Sequence, residues 1–454
     1  MEKVTATFDI GKTNKKFFLF NADFKVCHEV ITKLPYVKDE DGHPCESIED
    51  LKNWVETTFN EALRCKEFKI EALNFSAYGA SFIHLDPKGK PVTHLFNYTK
   101  NFPETIHKKF YALYGPESDF SIQTGSFDAG MLNSGLQLFW LKHQHPKDFK
   151  QIKRSLHLPQ YLSFLFSKQM VSDYTSIGCH TALWDYQKKG YHAWVKKEKL
   201  TSVLAPIVDT NTTITKRFKD NSFRVGVGVH DSSAALIPYL KRFTEPFILL
   251  STGTWNVALN PFARTPLNAN ETAQGGLYYM QTDGSPVKAA RLFLGYEYEH
   301  QVKKLSQEFN TSQDSHKTMR FNPAVYQKLK VGPAPYFEWI ELAQSFEKTT
   351  PFKYSTFEEA YHHLMMALVD LQVKSLRLAK GITPLKKVFV EGGFSNNEIF
   401  LKLLCILMPK MEIYSSKLAQ ASSIGAALLM SAKPLPKTFL NTQYKLSKQV
   451  APVL

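Results

Sequence analysis

The sequence predicts an α/β chain of two related lobes, and three observations carry that reading. At 454 residues the chain is too long for one compact core. Its first half runs strand–strand–helix–strand, the order of a mixed sheet covered by helices. A second pass of the same order begins near residue 245.

The first pass opens on Thr5–Ile10, an apolar run that ends next to a polar turn, and resumes at Lys16–Asn21. That pattern is a hairpin with a polar tip. Apolar residues at helical spacing predict a helix from Ile48 to Leu63, and a third strand follows at Ile70–Phe75. Phe82–Leu85 and Pro91–Phe96, around Asp86-Pro87-Lys88-Gly89, read as a second hairpin. From Met131 to Phe166 the pattern is mainly helical. The second pass has strands at Pro246–Leu250 and Trp255–Leu259 around Ser251-Thr252-Gly253-Thr254. A long helix spans Thr356 to Lys380. A strand at Lys387–Val390, a Gly-Gly turn, a helix from Asn397, a strand at Met411–Tyr414 and a small-residue helix at Ser422–Met430 complete it. The residues from Lys433 onward show little periodicity and read as an arm or a frayed tail.

Composition narrows the function classes. No stretch is long and apolar enough to span a membrane. The early first strand leaves no room for a signal peptide. Cys27, Cys45, Cys65, Cys179 and Cys405 are dispersed, which suits reduced thiols in a cytoplasm and gives neither a disulfide framework nor a zinc site. The net charge is +14. Its lysines occur in short clusters mixed with acids and aromatics, without a nucleic-acid-binding signature. Such a field favours small anions, although most of these lysines are expected on a solvated surface.

Four segments carry chemistry. In Asp9-Ile10-Gly11-Lys12-Thr13-Asn14, backbone N–H groups and a hydroxyl at a hairpin tip suit phosphate, and the carboxylate suits hydrated Mg²⁺. The Gly-Lys-Thr triplet is no P-loop, because the first glycine of that motif falls on Ala6. In Val225-Gly226-Val227-Gly228-Val229-His230-Asp231, the aspartate stands where a helix begins. It reads as an N-cap, as a general base, or as both. Ser251-Thr252-Gly253-Thr254-Trp255 repeats the polar hairpin tip. Glu391-Gly392-Gly393, paired with the small-residue stretch from Ala421, lets a flat ring approach the backbone. Two phosphate-type hairpins in two halves imply a nucleotide between the lobes.

In combination, the order and spacing of these segments resemble the FGGY family of carbohydrate kinases, within the actin/heat-shock-ATPase/sugar-kinase superfamily. The resemblance runs from Thr5 to about Met430. His230-Asp231-Ser232-Ser233 with Ser251-Thr252-Gly253-Thr254-Trp255 is most similar to L-rhamnulokinases, and Asp9-Ile10-Gly11-Lys12-Thr13-Asn14 to L-fuculokinases. The resemblance implies two ribonuclease H-like lobes with an interlobe cleft. Residues 1–240 would form a sugar-binding lobe with the first phosphate loop and the base, and 241–454 a nucleotide-binding lobe. It further implies ATP and Mg²⁺, a small sugar such as L-rhamnulose or L-fuculose, and neither nucleic acid nor membrane as partner. A homodimer is the assembly to test. A non-catalytic sugar-binding regulator on the same fold is the alternative.

The implied roles follow residue by residue. Asp9 would organise Mg²⁺ through water. Gly11, Thr13 and Asn14 would form the first phosphate loop, with Lys16 reaching phosphate. Asp231 would deprotonate the sugar hydroxyl. Gly253 and Thr254 would form the second loop, and Gly392, Gly393 and Asn397 would line the adenosine pocket. Tyr78, Gly79, Ser81, Tyr98 and Lys100 stand at the positions expected to contact sugar. Two of these depart from the family, since Ser81 and Lys100 replace acidic residues. Lys100 at a sugar contact points to an acidic substrate. Alternatively, it faces solvent or pairs with a nearby carboxylate.

Overall fold

A computed structural model describes residues 1–79, 81–218, 221–332, 337–339, 353–418 and 420–454. Two mixed sheets organise the chain, and each is built around the same three-strand unit. In the first, β1 (Glu2–Ile10) pairs antiparallel with β2 (Lys15–Phe20), and β2 with β3 (Val26–Thr32). β4 (Phe68–Ala77) lies parallel on the other side of β1. β5 (Thr213–Phe218), β6 (Asn221–Gly226) and the short β7 (Val229–His230) complete this sheet beyond β4.

The second sheet repeats the unit. β8 (Phe247–Thr252) pairs antiparallel with β9 (Asn256–Asn260), and β10 (Gly276–Met280) and β11 (Pro286–Leu292) extend it beyond β9. β12 (Lys387–Gly392) lies parallel to β8 on the other side, followed by β13 (Glu412–Ser415) and β14 (Ser447–Lys448). The first sheet thus draws its strands from residues before 231 and the second from residues after 246.

Helices form where apolar side chains recur at helical spacing. α1 (Ile48–Arg64) starts at Ser47, whose side chain accepts from Asp50 N at 3.1 Å, and buries Leu51, Val55, Phe59 and Ala62 against β1 and β4. α2 (Leu158–Ser167) closes the same core. The joint between the sheets is a pair of helices, α3 (Asp231–Arg242) and a small-residue helix, Ala421–Leu429. Phe18 and Phe20 of β2 share one core with Leu236 and Tyr239 of α3, Leu249 and Phe389 of the second sheet, and Ile424 and Leu428. The approach is close: a Cβ at Gly425 would fall 1.9 Å from the Ala234 carbonyl oxygen. On the outer face of the second sheet, α4 (Phe357–Lys380) and α5 (Glu398–Leu407) cover an apolar core, and the small-residue helix is hereafter α6.

Four expectations are corrected. Phe82–Leu85 does not pair with a strand at 91–96. Its ladder is with Arg154–His157, and Pro91 contributes a single bridge to Leu85. All four residues of Phe82–Leu85 are buried, so they need a buried partner, and the proline lacks the N–H that a ladder requires. The same strand, Arg154–His157, interrupts the stretch expected to be mainly helical. The C-terminal segment is docked, not frayed: Phe439, Leu440 and Tyr444 are buried, and β14 extends the second sheet. Asp231 is the first helical residue of α3, and His230 occupies the cap position.

Candidate active site

The second hairpin tip and the N-terminus of α3 border a shared cavity, and the first tip approaches it through Lys12, which lies over the rings of Tyr78 and Tyr98. Asp9 sits at the end of β1, opposite Lys16 across the hairpin, and is 8% exposed. Its Oδ2 accepts from the Ser422 hydroxyl of α6 at 3.0 Å. Burial pushes the Asp9 carboxyl up from its ordinary value. The Lys16 charge opposes that shift and the Asp231 charge adds to it. The charges of Asp9 and Asp231 thus oppose each other, an arrangement that a hydrated divalent cation suits.

The first tip is braced from beneath. Lys15, 2% exposed, donates through Nζ to the carbonyls of Gly11 and Lys12 at 2.9 Å each and to Glu46 Oε1 at 2.7 Å. Gly11 N donates to Asn14 O at 3.0 Å and closes the turn. Tyr78 OH donates to the other Glu46 oxygen at 2.7 Å, which fixes that ring in the cleft wall. The second tip is closed by Gly253 N donating to Trp255 O at 3.1 Å. The Thr252 hydroxyl donates to the Glu391 carbonyl and accepts from Phe394 N at 3.0 Å. Gly392 has φ +83°, and a Cβ there would lie 1.8 Å from Thr252 O, so this junction tolerates only glycine.

Three cavities open onto these elements. One of about 500 Å³ is walled by Gly253, Thr254, Tyr298, Gly393, Phe394 and Asn397. Asn397 is the cap of α5 and donates to the Tyr361 hydroxyl at 2.8 Å. A second, of about 210 Å³, is bounded by Asp231, Ser232, Ser251, Glu391, Gly392 and Ser422. A third, of about 250 Å³, is walled by Tyr78, Gly79, Tyr98, His230, Asp231, Gly253, Trp255 and Arg291, among others. Asp231, Ser232 and Ser251 border both smaller cavities, so the Asp231 carboxylate stands where they meet. Its Oδ1 accepts from Ser232 N at 2.5 Å, which holds it at the start of α3. His230 Nδ1, buried and without a hydrogen-bond partner among the described residues, lies 3.4 Å from the same oxygen, and its Nε2 is 3.0 Å from Cys179 Sγ. Burial lowers the His230 ring's pKa and favours its neutral form.

Most residues singled out in the sequence thus converge. Asp231, Gly253, Thr254, Gly392, Gly393, Asn397, Tyr78, Gly79 and Tyr98 line the three cavities, and Asp9 is hydrogen-bonded to Ser422, which borders the second. Gly11, Thr13, Asn14 and Lys16 belong to the first tip, and the walls of the three cavities contain none of them. Ser81 is 1% exposed, its hydroxyl has no partner among the described residues, and it is absent from the wall of the third cavity. Ala80 lies outside the described residues.

Lys100 is a correction. It pairs with Asp39 at 2.7 Å and Asp41 at 2.6 Å, above the rings of Phe96 and Trp140, and does not border the third cavity. Sequence reasoning missed two cations that stand nearer. Lys12 Nζ lies 4.7 Å from the centroid of Tyr78 and 4.8 Å from that of Tyr98. Arg291 lies between Phe127 at 3.8 Å and Trp255 at 4.3 Å. The signal for Arg291 was its place in the apolar run Ala289-Ala290-Arg291-Leu292-Phe293.

Known proteins match the whole of this architecture. Residues 4–226 match the N-terminal domain of the FGGY family of carbohydrate kinases, and residues 244–438 match the FGGY carbohydrate kinase C-terminal domain. A rhamnulokinase from Halalkalibacterium halodurans is 23% identical over 291 residues; the match takes in 60% of this chain and 60% of that protein's length. A carbohydrate kinase structure from Novosphingobium aromaticivorans superposes with a TM-score of 0.77 at 22% identity, over 99% of this chain and 96% of that one. A gluconate kinase structure from Lactobacillus acidophilus gives 0.80 at 16% identity, over 100% and 94%. With both domains matched in order and the fold shared from end to end, the chain belongs to the FGGY family of carbohydrate kinases.

Proposed function

We propose that this chain transfers the γ-phosphoryl group of ATP to a hydroxyl of a ketose-type sugar, with Asp231 as general base. The observation that carries this reading is the position of Asp231 at the meeting of the two smaller cavities. The sugar occupies the cavity walled by Tyr78, Tyr98 and Trp255. Adenosine occupies the one walled by Gly393 and Asn397, and the phosphates run past the second tip. Asp231 accepts the hydroxyl proton as that oxygen bonds to the γ-phosphorus. The bond from phosphorus to the β,γ-bridging oxygen breaks, and its electron pair leaves with ADP. Asp9, held by Ser422, is the residue to hold a hydrated Mg²⁺, and the metal when bound supplies neutralisation of phosphate charge. Closure of the two sheets about α3 and α6 excludes water from the transfer.

The rhamnulokinase relative supports a ketose skeleton, and L-rhamnulose and L-fuculose are the neutral sugars to screen first. The test is Mg²⁺-dependent ADP release over a panel of ketoses, aldoses and sugar acids, repeated with Asp231→Asn. The expected loss in kcat is about 10²–10⁴-fold with ATP binding retained. Turnover within about threefold of the unsubstituted protein would remove Asp231 as the base. Sugar binding without turnover in the unsubstituted protein would favour the non-catalytic regulator.

A further inference from the structure

The third cavity holds a charge that the proposed reaction leaves unused. Arg291 on β11 lies in its wall and is partly buried. A guanidinium carries five N–H donors and stays protonated in proteins. Drawing it even partly out of water costs stability unless those donors find acceptors and the charge a partner. Among the described residues Arg291 has neither a hydrogen bond to an acceptor nor a carboxylate within ion-pair distance. Its contacts are the ring faces of Phe127 at 3.8 Å and Trp255 at 4.3 Å. Such stacking holds the guanidinium in place and leaves its in-plane donors for another group.

The rest of the surroundings point the same way. Lys12, over the two tyrosine rings that border the cavity, makes no ion pair among the described residues. His180 and His230 in the wall are held neutral by burial. The one carboxylate bordering the cavity is Asp231, which the reaction assigns to the hydroxyl proton. A neutral deoxysugar would offer a methyl group and hydroxyls to this cavity and leave both cations without a counter-charge.

We propose that the sugar taken by this cavity carries a carboxylate, bound by Arg291 with Lys12 as the second positive charge. The substrate class is then a sugar acid, such as a ketohexuronate or an aldonate. The inference rests on the reading of this cavity as the sugar site. Arg291 borders the sugar-side cavity and not the one shared by Gly392 and Ser422, which places it on the acceptor rather than the phosphate side.

The test compares matched probes on the unsubstituted protein. ADP release is measured with D-tagaturonate, D-fructuronate and D-gluconate, with D-tagatose, D-fructose and D-sorbitol as their neutral counterparts, and with L-fuculose and L-rhamnulose as further neutral sugars. The expected result is a kcat/KM at least about tenfold higher for an acid than for its neutral counterpart. Arg291→Gln should raise KM for that acid about ten- to hundredfold, the worth of a charge-assisted hydrogen bond, and leave KM for ATP within about twofold. Turnover confined to neutral sugars overturns this inference and leaves the kinase reading standing. A raised KM for ATP in Arg291→Gln, with KM for the acid unchanged, also overturns it, because the γ-phosphate is then the anion bound. No turnover with any sugar would fail both readings together. If Arg291→Gln does not fold, the matched-probe comparison on the unsubstituted protein decides alone.

Discussion

The two hairpin tips occupy equivalent places in the two sheets, yet they are held by different physics. Each joins a central strand to its antiparallel neighbour, and each central strand has a parallel partner on its other side. The first tip rests on a buried ammonium: Lys15 ties two tip carbonyls to Glu46. The second rests on neutral hydrogen bonds from Thr252 and Gly253 and on a glycine that lets β12 come against β8. The first tip therefore needs a paired charge, and the second needs backbone space. The division suits the roles proposed for them. The first stands beside Asp9, where a metal's charge is to be balanced, and the second offers backbone donors to phosphate oxygens.

Two substitutions test that division, and a third tests the pairing of Lys100, from the largest effect to the smallest. Lys15→Met leaves Glu46 buried without its cation, and removing one partner of a buried pair costs about 3–5 kcal/mol. Urea unfolding measures it. A loss below about 1 kcal/mol would mean that the first tip does not depend on the ion pair. Gly392→Ala places a Cβ at φ +83° and against Thr252 O. Left-handed strain and overpacking together cost about 2–4 kcal/mol. The same unfolding experiment, with an ATP titration, should show weakened nucleotide binding as the second tip shifts. Unaltered stability and ATP affinity would show that the tip has room to spare.

Lys100→Ala has the smallest expected effect on activity, a sugar KM within about twofold of the unsubstituted protein, because its ammonium is committed to Asp39 and Asp41. A larger change would return Lys100 to the sugar site. Its effect falls on acid stability instead. Burial pushes the Asp39 carboxyl up, but hydrogen bonds from Lys100 and from the His43 and Asp41 N–H groups outweigh it, and the group lies below its ordinary value. A carboxyl so depressed adds stability above its unfolded pKa of about 3.9 and loses it as pH falls through the folded value. Lys100→Ala should therefore shrink the loss of stability seen on acidification below about pH 4, as followed by thermal unfolding.

The amino-acid sequence alone determined the repeated sheet unit, because apolar runs interrupted by polar turns at Asp9–Asn14 and Ser251–Thr254 have few other ways to fold. It also determined the candidate base, since a carboxylate after a Gly/Val strand and before Ser-Ser-Ala-Ala can only stand at a helix start. Tertiary structure decided which charges border the third cavity. Lys100 and Arg291 look alike as cations beside aromatic residues in the sequence. Their fates depend on groups far along the chain: Asp39 and Asp41 for the first, Phe127 and Trp255 for the second. Burial and pairing are properties of the packed chain, so no local pattern reports them. The partner of Phe82–Leu85 and the docking of the C-terminal segment follow the same rule, because both were settled by buried surface on residues distant in sequence.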